Sequence, residues 1–203
     1  TIGWSVFANK GFLSEYRRGK QVASLDLRKC TALQGSHNHQ NACAAYAAVR
    51  SLGLGPRSIE KALESFNGLS HRSQLVTEIG GVVFINDSKA TNVDSAMKAL
   101  ATFSKVRWIC GGEQKEEDIS RLNNALTNVK KAYVIGANTE KFSSQINCEF
   151  ENCNTMDIAV QKAFRDAQAG DTVLLAPAAA SFDQYGSFEE RGQAFEHEIK
   201  KLV

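Results

Sequence analysis

From Thr1 to Leu27 apolar and polar residues alternate in short runs, Trp4-Ser5-Val6-Phe7, Phe12 to Tyr16 and Val22 to Leu27, parted by Asn9-Lys10-Gly11 and Gly19-Lys20. Alternation broken by such turns predicts an antiparallel meander. Residues 1 to 34 are too few to bury a core alone, since two or three short strands rarely do. Thr1 reads as the middle of a strand, so the chain reads as a fragment with a segment expected before it. From Asn38 to Leu52 the period becomes helical. Ala44, Ala45, Ala47 and Ala48 are expected to form a smooth packing face, with Ser36 or Asn38 as the cap and Gly53-Leu54-Gly55 as the stop. Pro56 introduces a second helix over Arg57 to Phe66.

After Asn67-Gly68-Leu69-Ser70 the rhythm changes, which places a domain boundary between 1–69 and 70–203. Ser73 to Ile79 and Val82 to Ile85 flank Gly80-Gly81 as a hairpin. The pattern then predicts helix Asn92 to Thr102, strand Val106 to Cys110, helix Glu116 to Thr127, strand Ala132 to Ile135 and helix Thr139 to Gln145. A short strand over Cys148 to Phe150, helix Met156 to Gln168, strand Thr172 to Leu175 and helix Phe188 to Leu202 complete it. Strands alternating with helices imply an α/β fold, a mostly parallel sheet with helices on both faces.

In such sheets ligands bind at the carboxyl ends of strands. The run Val82-Val83-Phe84-Ile85 passes at once into Asn86-Asp87-Ser88-Lys89-Ala90-Thr91-Asn92. Lys89 offers charge, Asp87 an acceptor for a hydroxyl or ammonium, and Thr91 and Asn92 polar arms or caps. Two further strand ends carry polar chemistry: Gly111-Gly112-Glu113-Gln114-Lys115 and Ala176 to Asp183 with Ser181. Gly136-Ala137-Asn138 is a third. Each also reads as an ordinary turn, with Lys115 a solvated lysine and Ser181 a cap. A parallel sheet brings such ends to one edge, so Lys89, Lys115 and Ser181 are candidates to line one cleft. His71-Arg72, at the boundary, reads as a surface basic pair or as a phosphate or base contact. Asn38 and Asn41 share a face at a helix entrance, where exposed N–H groups favour polar ligands.

Composition narrows the field. Lys plus Arg (24) against Asp plus Glu (22) leaves a formal charge of +2, which argues against a nucleic-acid stripe or a polybasic membrane patch. The five cysteines form no CxxC pair, so no disulfide framework or standard zinc site is indicated, and a reducing cytoplasm fits. No apolar run approaches about 18 residues. His37 and His39 lie two apart, about 200° around a helix, and do not converge on one metal ion. There is no GxxxxGK[ST] phosphate loop, no GxGxxG and no GxSxG elbow.

Taken in order, Gly35-Ser36-His37-Asn38-His39-Gln40-Asn41, Gly68 to Arg72, Asn86 to Asn92, Gly111 to Lys115 and Ala180-Ser181-Phe182-Asp183-Gln184-Tyr185 resemble the Mur ligase family over nearly the whole chain. The Asn86-to-Asn92 string with Lys115 and Ser181 to Gln184 is most similar to the branch that adds D-glutamate, and Val93 stands where other branches usually carry proline. The resemblance implies the tail of a central ATPase domain over 1–69 and a complete C-terminal domain over 70–203. It implies an ATP-dependent ligase joining D-glutamate to UDP-N-acetylmuramoyl-L-alanine through an acyl phosphate in peptidoglycan synthesis. Asn38, Asn41, His71 and Arg72 are then expected at ATP, Asp87 at its ribose, and Lys89 and Thr91 at the reacting groups. Lys115, Ser181, Phe182 and Phe188, with Thr91, are expected around D-glutamate. The phosphate loop and most ligands for Mg2+ would lie outside this chain, which would be inactive alone. The rivals are a noncatalytic nucleotide or amino-acid binding module and a sister ligase that adds another amino acid.

Overall fold

The computed structural model describes residues 3–203, so the strand expected through Thr1 falls partly outside the described residues. The chain forms two compact units, Thr1–Gly68 and Leu69–Val203.

In the first unit β1 (Trp4–Asn9), β2 (Phe12–Arg17) and β3 (Lys20–Asp26) form an antiparallel sheet in the order β1-β2-β3. The hairpins turn through Lys10-Gly11 and Arg18-Gly19, all four at positive φ, as two-residue turns that follow the twist of the strands require. Two short 3-10 turns lead to α1 (Ser36–Ser51) and α2 (Pro56–Glu64). Leu13, Leu25, Leu27, Tyr46 and Ile59 form the core.

The expected cap of α1 is corrected. Gly35, at φ 89°, precedes the helix, whereas Ser36 and Asn38 lie inside it and the Asn38 amide donates back to the Gln34 carbonyl at 2.9 Å. Its packing face is corrected too: Ala42, Cys43 and Tyr46 are buried, while Ala44, Ala45 and Ala48 are exposed. Tyr46 decides the orientation, because its hydroxyl is the donor that the buried Glu15 carboxylate receives at 2.7 Å. The helix ends as expected at Gly53, with Gly53 N bonded to Arg50 O and Leu54 N to Val49 O.

The second unit is a six-stranded sheet, in the order β4-β5-β9-β6-β7-β8. Its strands are β4 (Gln74–Ile79), β5 (Val82–Asn86), β6 (Val106–Gly111), β7 (Val129–Ile135), β8 (Phe150–Asn154) and β9 (Thr172–Leu175). Only the β4–β5 hairpin is antiparallel. Alternate residues go to opposite faces. Val106, Trp108, Cys110 and Leu174 pack with Val93, Ala96, Ala99 and Leu100 of α3 (Val93–Thr102). Ile109, Val173 and Leu175 pack with α5 (Met156–Asp166), through Ala159 and Val160, and with α6 (Phe188–Lys200), through Phe195 and Ile199. The short α4 (Thr139–Ser143) adds Phe142 to the first face.

Two expectations fail here. The helix expected over Glu116 to Thr127 is instead a 3-10 helix, Ser120–Asn128. Side chains satisfy the backbone at its start: Asp118 accepts from Ser120 N at 2.8 Å, and Gln145 from Ile119 N at 2.9 Å. Local side-chain acceptors of this kind compete with α-helical bonding. The strand expected over Cys148 to Phe150 lies at Phe150–Asn154, because β7 sets its register through the pairing of Ala132 with Phe150.

Candidate functional site

Five strands run parallel, so their carboxyl ends share one edge, and four of the loops leaving that edge are bonded together. Asp87 N, just past β5, donates to Leu175 O at the end of β9, 2.8 Å away. Ala178 N in the loop after β9 reaches back to Ala90 O at 2.9 Å, and Gly111 N donates to Pro177 O at 2.9 Å. Glu113 and Ala180 exchange both backbone bonds at 2.9 Å. The β7 loop joins through Ala137 N, which donates to the Asp183 carboxylate at 2.9 Å. Such contact requires bare backbone at two adjacent positions. A Cβ on Gly111, at φ +101°, would stand 2.2 Å from Ile135 O, and one on Gly112, at φ +128°, 2.3 Å from Ala180 O.

Beneath this edge lies Arg191, fully buried on α6. Its guanidinium donates to Ser88 O at 2.9 Å, Ser88 Oγ at 3.1 Å and Ala179 O at 3.0 Å, tying the loop after β5 to the loop after β9. Burial lowers its pKa to about 10, only partly offset by the charge of Asp183. At the next residue of α6, Asn86 Nδ2 donates to Gly192 O at 3.1 Å; it also donates to Glu196 Oε1 at 2.9 Å and lies 3.0 Å from His71 Nδ1. A Cβ on Gly192 would fall 2.2 Å from His71 Nδ1, so only glycine lets α6 approach this closely.

Among the expected site residues, His71, Lys89 and Phe188 are brought together. Lys89 N donates to His71 O at 3.0 Å, Lys89 Nζ stands 4.0 Å from the centre of the Phe188 ring, and His71 meets that ring edge-on at 6.3 Å. The basic pair at 71–72 is thus split: His71 is buried and at φ 61°, while Arg72 is exposed. Asp87 is partly buried beside Ser73 and Arg72. Thr91 is partly buried one turn beyond Lys89, its N–H bonded to Lys89 O at 2.8 Å, and Asn92 caps α3 by accepting from Ser95 N. Ser181 is buried, and its carbonyl accepts from Gln184 N and Tyr185 N as a turn. Phe182 is 64% exposed, and Lys115 is exposed on the bonded loop after β6. Asn38 and Asn41 stand on α1 of the first unit.

Arg191 and Gly192 escaped sequence reasoning. The spacing Phe188, Arg191, Phe195, Ile199 did carry a signal, because it sets an arginine on the apolar stripe of a helix.

Burial pushes the Asp87 carboxyl up to about 6, against the opposing pull of hydrogen bonds from Ser73 and the charge of Arg72. A pKa above the unfolded value means that the folded chain binds the proton more tightly, so this group's contribution to stability falls as pH rises from about 4 to 6. Asp87→Asn should flatten that part of the curve. Urea unfolding from pH 4 to 7 checks it, and an unchanged slope counts against a buried Asp87.

A family profile described as "Mur ligase, glutamate ligase domain" matches residues 71–179, more than half of the chain. The chain belongs to the Mur ligase family. Among curated Mur ligases it is 60% identical, over 99% of its length, to UDP-N-acetylmuramoylalanine–D-glutamate ligase of Ruegeria pomeroyi, of which it covers 43%. The protein of that name from Roseobacter denitrificans is 62% identical over the same share, again covered to 43%. The chain therefore spans under half the length of the curated relatives it matches. Among solved structures, UDP-N-acetylmuramate-alanine ligase MurC from Thermotoga maritima superposes with a TM-score of 0.67 at 17% identity, over 99% of this chain and 46% of that one. The E. coli protein FolC, solved with DHPP and ADP, gives 0.67 at 24%, over 100% and 47%. At these identities the likeness is one of fold.

Proposed function

We propose that this chain is the C-terminal portion of a UDP-N-acetylmuramoylalanine–D-glutamate ligase, with 1–69 the end of its ATP-binding domain and 70–203 the domain that receives D-glutamate. The observation that carries the reading is identity of about 60% along 99% of the chain to relatives bearing that name. ATP would phosphorylate the carboxylate of UDP-N-acetylmuramoyl-L-alanine, and the amine of D-glutamate would displace phosphate to form the amide, with ADP released. Asn38, Asn41, His71 and Arg72 would face ATP and Asp87 its ribose. Lys89, already desolvated on one side by Phe188, would stabilise charge at the transferring phosphoryl group, with Thr91 beside it. Charge-assisted bonds from Lys115, with Thr91, Ser181, Phe182 and Phe188 shaping the pocket, suit an amino-acid dicarboxylate. Rate enhancement would rest on positioning and charge stabilisation, without a protein nucleophile.

Most ligands of the magnesium ion that accompanies ATP would lie outside this chain; among the described residues no group of three or more His, Cys, Asp or Glu is placed to hold a metal. No helix among the described residues is long and apolar enough to cross a membrane, and all five cysteines are free. We place the protein in the cytoplasm because its proposed substrates, ATP and a uridine nucleotide, are found there, and we assign it neither nucleic acid nor membrane as a partner.

The test is ADP release by the full-length protein with ATP, UDP-N-acetylmuramoyl-L-alanine and D-glutamate, each omitted in turn. Dependence on all three supports the reading, and turnover with another amino acid but not D-glutamate overturns it. Lys115→Ala should raise the KM for D-glutamate at least tenfold while the KM for ATP moves much less. Equal effects on both would remove Lys115 from the D-glutamate pocket.

A further inference from the structure

The loop that carries Lys115 is fixed at both ends while Lys115 itself is exposed. At its start Glu113 is double-bonded to the backbone of Ala180. At its end Asp118 accepts from Ser120 N, and Ile119 N is held by Gln145. Between them Gln114 Nε2 donates to the carbonyls of Glu116 and Glu117, at 2.5 and 3.2 Å, which curls the backbone around Lys115. The half-buried Glu116 carboxylate accepts from Val93 N, 3.2 Å away, in the first turn of α3.

That last bond joins two places of consequence. Val93 lies two residues past Thr91, and Glu116 is the neighbour of Lys115. First-turn N–H groups of a helix have no partner within it, and a carboxylate there gains from the helix dipole as well as from the bond. Asn92 already supplies the side-chain cap, at Ser95 N, so Glu116 takes a different donor and adds a second tie. We propose that Glu116 is a positioning residue: its bond to Val93 N docks the Lys115 loop on the start of α3 and sets Lys115 in register with Thr91. The inference rests on the ligase reading above and deepens it. The ammonium that meets the D-glutamate carboxylate is held by a carboxylate one residue away, on the backbone that presents Thr91.

A substitution isolates the bond. Val93→Pro deletes the N–H, yet proline is favoured at the first position of a helix. Asn92, at φ −145° and ψ 167°, already has the extended backbone that a residue before proline prefers. Glu116→Gln keeps the acceptor oxygen, whereas Glu116→Ala removes it. In the full-length protein Val93→Pro and Glu116→Ala should each raise the KM for D-glutamate about tenfold with ATP KM little changed, and Glu116→Gln should recover most of the loss. Amide hydrogen exchange on the 203-residue chain gives a readout independent of turnover: the Val93 amide should exchange faster in Glu116→Ala and stay protected in Glu116→Gln, and the Glu113 amide, bonded to Ala180 O, should exchange faster in both disruptive variants. If the wild type does not ligate D-glutamate, the ligase reading fails, whereas exchange still reports the tether. If the wild type ligates and both disruptive variants keep its KM for D-glutamate, the positioning role is overturned.

Discussion

Replacing Arg191 with methionine is expected to destabilise the second unit by about 2–4 kcal/mol, because two buried carbonyls lose their donors at roughly 1–3 kcal/mol each. The acceptors are Ser88 O and Ala179 O, on two loops that this side chain ties to one another through α6. Part of the loss is returned, since burial of the guanidinium is itself unfavourable, as its lowered pKa of about 10 indicates. Arg191→Lys should recover little. One ammonium on a flexible stem cannot reproduce a planar fork that reaches Ser88 O, Ser88 Oγ and Ala179 O together. Urea unfolding measures the stability. Hydrogen exchange should show residues 86–91 and 176–181 opening more than the rest of the sheet. A lysine variant as stable and as protected as the wild type would show that charge, and not the fork, holds the loops.

How far the sequence discloses this arrangement depends on the range of the interactions. The mostly parallel sheet was legible because burial on both faces leaves apolar strands such as Val82 to Ile85 and Thr172 to Leu175, which few other structures tolerate. The hairpin at Gly80-Gly81 and the stop at Gly53 were legible because all three sit at positive φ, a backbone conformation that glycine adopts without steric cost. What failed was set by partners far along the chain. Glu116 looks like the start of a helix until Val93, 23 residues earlier, claims its carboxylate. The alanines of α1 look like a packing face until Tyr46 is drawn to Glu15, 31 residues away. Among the candidate site residues, the strand-end position of Lys89 and Asp87 followed from the local switch of apolar to polar. The split between buried His71 and exposed Arg72 did not, because it depends on Gly192, which lies on the last helix.

Glu15→Gln is expected to destabilise the first unit by about 3 kcal/mol or more, the usual effect of removing one partner from a buried ionic cluster. Glu15 is the acceptor at the centre of the small sheet. Its carboxylate receives Tyr46 Oη at 2.7 Å, Arg17 Nε at 2.8 Å, Arg50 Nε at 2.9 Å and Trp4 Nε1 at 3.0 Å. A glutamine has one acceptor oxygen where the carboxylate has two, and its amide would point donors at donors. Burial alone would raise the carboxyl pKa, but the bonds from Arg50, Tyr46 and Arg17 outweigh it and hold the value at about 2. A pKa below the unfolded value gives stability that is fully present above about pH 4.5 and is lost as pH falls toward 2. This acid-side loss runs opposite in sign to the Asp87 effect between pH 4 and 6. Exchange protection of residues 3–68 should therefore fall in the wild type from pH 4.5 downward, and in Glu15→Gln should be low already at pH 7 and change little on acidification. If the glutamine variant keeps the wild-type acid transition, some other carboxylate carries it, and the cluster at Glu15 is not what holds the meander to α1.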